Sequence, residues 1–310
     1  MSTDQKSMTT AAWALMVLLG CIWGASFLSN RLALAEAPVA TVVALRVAGA
    51  AVVLWAMVAW RGLRPPPPGR LWGAFLVMGV LNNAIPFSLI VWGQRSIESG
   101  LAAILNASTA LMGVLVAALC FRDERLTARK AAGVATGFAG VVVVIGPAAL
   151  NDFDVTSLAQ LAVLGASLSY ALSGAFARVA VAGTEPEVAA AGMLTGSSLV
   201  MVPAALLLDG LPAAAWSPSV WGGILYLAVV ATAGAYLIFY RLLARVGAGN
   251  ASLTTLLVAP VAIVLGALAF GEALPLRAYG GFLLLALGLV VLDGRLFRRR
   301  PVDTLGDPAA

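Results

Sequence analysis

The chain has 310 residues, of which 61% are hydrophobic and only 11% charged, with no histidine and a formal net charge of +5. A soluble domain carries about 25% charged residues, so a soluble globular protein is excluded. The basic residues flank apolar runs instead of forming a patch, which argues against a nucleic-acid partner and for a chain whose surroundings are a lipid bilayer with anionic headgroups.

Ten hydrophobic spans are predicted, near 11–29, 38–60, 71–93, 100–121, 131–148, 158–178, 187–208, 219–240, 251–270 and 277–293. Spans of about 20 apolar residues match a hydrocarbon core about 30 Å thick. Backbone groups in lipid must be satisfied internally, so the spans are expected to be helices, and the short alternating segments of a β-barrel are absent. The first span follows Lys6 as a secretory leader would, but no cleavage site stands at the usual distance, so it is read as retained. It carries Trp23. The second span holds Arg46, and a stiff Pro65–Pro68 connector follows it. The third holds Asn82, Asn83, Pro86 and Phe87, and the fourth Asn106, Ser108 and Thr109, ending near Glu124. Gly133, Gly137 and Gly140 lie in the fifth, Ser167, Tyr170 and Ser173 in the sixth, and Thr232, Tyr236 and Tyr240 in the eighth. The ninth holds Ser252, Thr255 and Pro260 and ends near Glu272, and the tenth holds Gly281 and Gly288. Cys21 and Cys120 lie in apolar segments far apart, with no sign of a disulfide or a metal site.

When the connecting segments are numbered alternately from the N-terminus, one set contains Lys6, Arg61, Arg64, Arg70, Arg122, Arg125, Arg129, Lys130, Arg178, Arg241, Arg245, Arg295, Arg298, Arg299 and Arg300. The other contains only Arg31, Arg95 and Arg277. Cytoplasmic loops retain Lys and Arg, so both termini are expected in the cytoplasm of a multi-pass protein of a bacterial-type inner (plasma) membrane.

The chain also repeats itself. Residues 100–146 align without gaps on 248–294, an offset of 148 that pairs Glu124 with Glu272, Arg129 with Arg277, Gly133 with Gly281 and Gly140 with Gly288. One residue further, Phe87 pairs with Tyr236. Each copy has an odd number of spans, so the second enters the membrane from the opposite side. The expected fold class is an all-α membrane protein of ten transmembrane helices in two inverted five-helix repeats. Its expected divisions are 1–148, a linker at 149–157, and 158–310 with a basic cytoplasmic tail. Inverted repeats mark secondary transporters, whose substrate site lies near the midplane between them.

The run Trp23-Gly24-Ala25-Ser26-Phe27, Arg46 in Ala-Leu-Arg-Val-Ala-Gly, Asp123-Glu124-Arg125-Leu126-Thr127, and Gly271-Glu272-Ala273-Leu274-Pro275, in this order, resemble the drug/metabolite transporter superfamily of EamA type. The resemblance implies a ten-helix exporter of small metabolites, with amino-acid exporters a prominent subgroup, and a cavity ringed by spans one, three, four and six to nine. One departure is visible: Pro260 supplies the mid-span proline in span nine, but Met112 stands at the matched place in span four. Bending of span four then falls to Gly113 or to the Asn106–Thr109 stretch.

Catalysis finds little support, because no span carries Asp or Glu centrally and no nucleophile–base pair is offered. No cofactor or metal is expected. Intramembrane proton relays use Asp, Glu or His, so facilitated export is the simpler reading, with Glu124 and Glu272 left as groups that could titrate. Candidate substrate-binding residues are Asn82, Asn83, Phe87, Asn106, Tyr170, Thr232, Tyr236 and Thr255. Each has the alternative of bonding or packing between helices, which Ser, Thr and Asn commonly do in membranes. Adjacent asparagines cannot share one helix face, so one of Asn82 and Asn83 is expected to face a cavity and the other a neighbouring helix. Trp23, Arg46, Glu124, Pro260 and Glu272 are read as gating or structural. Arg46 is either a gate or anion-binding group, or a structural residue that snorkels or pairs with Glu272 or Glu36; the second reading is preferred because Leu194 holds its matched place. Glycine-spaced spans five and ten are expected to pack within their own halves, as a monomer, with a homodimer through those spans as the alternative. The partners expected are a small-molecule solute, an amino acid above all (aromatic or neutral), and the lipid bilayer. Efflux of drugs or hydrophobic cations, and a non-transporting scaffold or receptor, are the competing readings.

Overall fold

The computed structural model describes residues 9–122, 126–146, 155–213, 215–251 and 254–293. Among them only helices, turns and bends occur. The first half comprises α1 (Thr10–Ala33), α2 (Val39–Trp60), α3 (Arg70–Gly79), a π-helical segment π1 (Val80–Ala84), α4 (Ile85–Gly93), α5 (Ser99–Asn106), α6 (Thr109–Cys120) and α7 (Ala128–Ile145). The second comprises α8 (Val155–Ala180), α9 (Pro186–Leu208), α10 (Pro218–Leu225), π2 (Tyr226–Gly234), α11 (Ala235–Ala251), α12 (Thr254–Phe270) and α13 (Leu276–Asp293). Eight helical stretches are long and apolar enough to cross a membrane, and the shorter apolar helices at 257–270 and 276–292 complete the ten spans.

Local chemistry sets the ends. The Thr9 and Thr127 hydroxyls accept from the N–H groups of Ala12 and Lys130, capping α1 and α7. Pro186 and Pro218 occupy first helical turns, where their missing N–H costs nothing. Gly271, at φ 64°, ends α12 in the left-handed region that a side chain would strain.

The second half lies antiparallel to the first. In the α2–α9 pair, Asp209 at the end of α9 accepts from the N–H and hydroxyl of Thr41 at the start of α2, at 2.9 and 2.8 Å. At the other end, Arg61 pairs with Glu187. In the α7–α13 pair, Gly146 abuts Arg277 at one end and Gly133 abuts Leu292 at the other. Corresponding helices of the two repeats thus run head to tail. We term the end where α1 begins the N-terminal end and the opposite one the far end.

The α7–α13 contact corrects an expectation. These glycine stripes join the two halves, not helices within one half. A Cβ on Gly140 would come within 2.5 Å of Leu285 N, and one on Gly281 within 2.6 Å of Gly140 O. Lipid tails are as apolar as leucine, so association in a bilayer relies on such close backbone approach. The stripes that a dimer would have used are consumed inside one chain.

Spans four and nine differ from each other. Span four breaks at Ala107–Ser108, within the Asn106–Thr109 stretch, whereas Gly113 lies inside the continuous α6. Pro260 sits within an α12 that continues through it. The connector between spans eight and nine is helical as far as Ala251, running on through Gly247 and Gly249. Glu124, Ser252 and the 149–154 part of the linker lie outside the described residues.

Candidate functional site

Spans three and eight are each interrupted by a π-helical stretch. In an i→i+5 turn, Ile85 N donates to Val80 O; the next donor in that ladder would be residue 86, which is a proline. Leu81 O, so deprived, accepts the Ser169 hydroxyl from α8 at 2.7 Å. In π2, Ala231 O accepts the Trp23 indole N–H from α1 at 3.2 Å. The first helix of each repeat therefore supports the broken helix of the other. π-Turns frequently mark functional positions, and irregular backbone at membrane depth is tolerated where protein or a cavity satisfies it.

Between these turns lies a polar cluster. Arg46 is seven residues into α2, about 10 Å from its far end at 1.5 Å per residue. It is only 5% exposed. Its Nε donates to Thr232 Oγ1 at 2.9 Å, and its guanidinium carbon stands 3.7 Å from the Phe87 ring centroid, a cation–π contact. Asn82 Nδ2 donates to the Tyr236 hydroxyl at 2.9 Å, and that hydroxyl donates to Asn83 Oδ1 at 2.8 Å. Tyr240 stacks on Tyr236 with centroids 6.3 Å apart. Tyr170 packs against the cores around both α2 and α8, within electrostatic range of the Arg46 guanidinium.

The geometry brings together Asn82, Asn83, Phe87, Tyr170, Thr232 and Tyr236, with Arg46 at their centre. Two expectations are corrected. Arg46 pairs with neither named carboxylate: Glu272 accepts from the N–H and hydroxyl of Ser99 at 2.9 and 3.0 Å, and Glu36 accepts from Ser217 N at 3.0 Å. Nor does it snorkel, being buried on α2. Asn82 and Asn83 both reach one tyrosine, because the wider π-turn brings successive side chains closer in azimuth than an α-helix does. Asn83 is fully buried, and its Nδ2 has no hydrogen-bond partner.

Asn106 lies apart from this cluster. Asn106 ends α5, where its carbonyl accepts from Thr109 and Ser167. Thr255 sits half-buried in the first turn of α12. Of the α8 stripe, Ser173 meets Met78 Sδ and only Tyr170 turns to the cluster.

The far end holds a second polar network that the sequence reading passed over. Gln94 accepts from Asn30 Nδ2 at 2.8 Å and donates to Phe27 O at 2.8 Å and Ser99 Oγ at 3.4 Å. Arg31 donates to Gln94 O and Ile97 O. Glu272 then caps α5 through Ser99, folding across Gly266, whose missing side chain leaves room for the carboxylate. An asparagine just past predicted span one and a glutamine just past span three are the available signals. Glu36, outside the spans, has its carboxyl held below the usual range by hydrogen bonds from Ser217, the hydroxyl first and the backbone N–H second. A groove of about 730 Å³ also opens at this end, lined by Glu36, Trp92, Arg95 and Asp209 among others, and none of the Arg46 cluster lines it.

A helix-only bundle of inverted five-span repeats, each with a broken helix facing a buried polar cluster, is the architecture of a multi-pass membrane transporter. The sequence profile of the EamA-like transporter family matches residues 11–146 and again 157–292, and the chain belongs to that family. It is 28% identical to a probable terminal-alkyne amino-acid exporter of Streptantibioticus cattleyicolor, over 96% of this chain and 99% of that one. It is also 28% identical to a probable amino-acid metabolite efflux pump of Escherichia coli, over 89% and 93%. A solved crystal structure superposes with a TM-score of 0.64 at 19% identity, covering 93% of this chain and 99% of the other, and at that identity it shows a shared fold alone.

Proposed function

We propose that this transporter exports amino acids across an inner membrane by alternating access, with both termini cytoplasmic and repeat boundaries at 1–148 and 158–310. The observation that carries the reading is the cluster built from both repeats: Asn82, Asn83 and Phe87 from one broken helix face Thr232 and Tyr236 from the other, beside Tyr170. Small-molecule sites are mostly apolar with a few placed polar groups, and a pocket straddling two inverted halves is one that rocking of the halves would expose to each side in turn. The names of the two relatives point to the same solute class. The basic residues in the N-terminal-end connections favour that end as cytoplasmic. The hydrogen-bonded network from Asn30 to Glu272 then lies on the outside as the closed end, and Trp23 and Glu272 hold shape instead of solute.

A buried guanidinium repels cations, which disfavours efflux of hydrophobic cations. The test is release of a labelled amino-acid mixture from vesicles holding the purified chain. Wild-type protein is expected to speed release of one or more amino acids, and Asn83→Ala to slow it at unchanged membrane insertion. Release no faster than from protein-free vesicles would leave a non-transporting scaffold as the better reading. Unchanged release by the variant would remove Asn83 from the site.

A further inference from the structure

We infer that Arg46 is the carboxylate anchor of the transport site, so that the solute must carry a carboxylate on an apolar body, while its amino group is dispensable. The inference rests on the transporter reading and names what the same site selects.

The argument starts from an unbalanced charge. A guanidinium has five N–H donors. Here Nε is used by Thr232 and one face is covered by Phe87, while the two terminal nitrogens donate to no atom of the described residues. The carboxylates at the ends of the surrounding helices are engaged elsewhere: Glu36 with Ser217, Asp209 with Thr41, Glu272 with Ser99 and Glu187 with Arg61. A cation at this depth without an anion is costly and marks function. The free edge of a guanidinium is a planar fork that matches a carboxylate with two parallel bonds.

A second donor agrees. Asn83 Nδ2, fully buried and unpartnered, belongs to the same cluster through Tyr236. Both unfilled groups are donors, so they call for an acceptor. Among the described residues, no carboxylate is bonded within the cluster to receive an ammonium. The stacked Tyr236 and Tyr240 offer an apolar wall for the rest of the molecule.

The structural alternative, that Arg46 merely ties α2 to π2, makes a different forecast. Leu194 fills the matched place in α9, fully buried, so leucine suits this helix position, and removing an uncompensated charge relieves its desolvation. Arg46→Leu should therefore leave the ligand-free melting midpoint at or above wild type.

The experiment measures thermal-shift titrations of the purified full chain with L-phenylalanine, 3-phenylpropionate and 2-phenylethylamine, which share a body and differ in charged groups. Both acids should raise the midpoint and the amine should not. Arg46→Leu should abolish both shifts, and Arg46→Lys, which keeps charge but loses the fork, should weaken both acids roughly tenfold or more. Should Arg46→Leu fail to fold, the lysine variant decides. A shift from the amine equal to that from 3-phenylpropionate, no shift from either acid, or acid affinities unaltered in Arg46→Lys would each overturn the anchor. Vesicle release separates the two readings. Acids that bind but do not cross would sink the exporter and leave the anchor. Phenylalanine crossing equally well through Arg46→Leu would sink the anchor and leave the exporter.

Discussion

The two broken helices are the same device carried out with different side chains. π1 and π2 hold corresponding places in the repeats, each has a carbonyl bonded from the first helix of the other repeat, and each is followed by an aromatic residue, Phe87 or Tyr236. Their polar content differs. Asn83 stands where the other copy has Thr232, Asn82 where it has Ala231, and Arg46 of α2 where α9 has Leu194. The backbone is thus pseudo-symmetric and the chemistry is not. On the proposed transport reading, the repeat would supply two conformations of similar energy and the asymmetry one binding polarity. The contacts themselves differ, since Phe87, lacking a hydroxyl, takes the guanidinium on its face, and Tyr236, having one, bridges both asparagines.

The comparison breaks most severely if charge is placed in the wrong half. Leu194→Arg puts a guanidinium into a fully buried apolar position and should cost about 3 kcal/mol, read as loss of folded protein by size-exclusion chromatography of detergent extracts. Arg46→Leu, the mirror change, should leave that peak intact. Next comes Tyr236→Phe, which makes the second copy match the first. Asn82 and Asn83 each lose a partner, for about 1–3 kcal/mol on a melting curve, with transport reduced. The supports of the two turns should respond alike and more weakly. Ser169→Ala and Trp23→Phe each remove one bond to a π-turn carbonyl, for about 1 kcal/mol; a large effect of one alone would show that only one turn is needed. The smallest effect is at Glu36. Its carboxyl titrates below the ordinary range, so its contact with Ser217 is present above the ordinary carboxylate pKa and is lost as pH falls through the lowered one. Glu36→Gln should flatten that acid-side decline in melting midpoint.

Much of this organisation is legible in the chain, and the limits have physical causes. The matched glycines and end-of-span acids give the inverted repeat; close backbone approach demands glycine at fixed depths, and Glu272 caps α5 through Ser99. Asn82, Asn83 and Tyr236 stand out because amides and phenols in lipid need partners. The π-turns are not legible, because an i→i+5 bond leaves no residue signature apart from Pro86, which withholds the donor that Leu81 O would have used. The joining of α7 to α13 is likewise hidden: a glycine stripe tells that a helix comes close, not which one. The partners of Arg46 are hidden for a related reason: a lone arginine in a span does not tell which neighbours meet it, and here they are Thr232 and Phe87 from two different helices, not Glu36 or Glu272.

Everything turns on the second half being upside-down relative to the first. With Cys21 and Cys120 replaced by serine, single cysteines at the exposed Thr127 and Ala273 can be labelled in intact spheroplasts with a membrane-impermeant maleimide. Labelling of the residue-273 cysteine alone, reversing in inside-out vesicles, is the expected result. Labelling of both from one side would contradict the account.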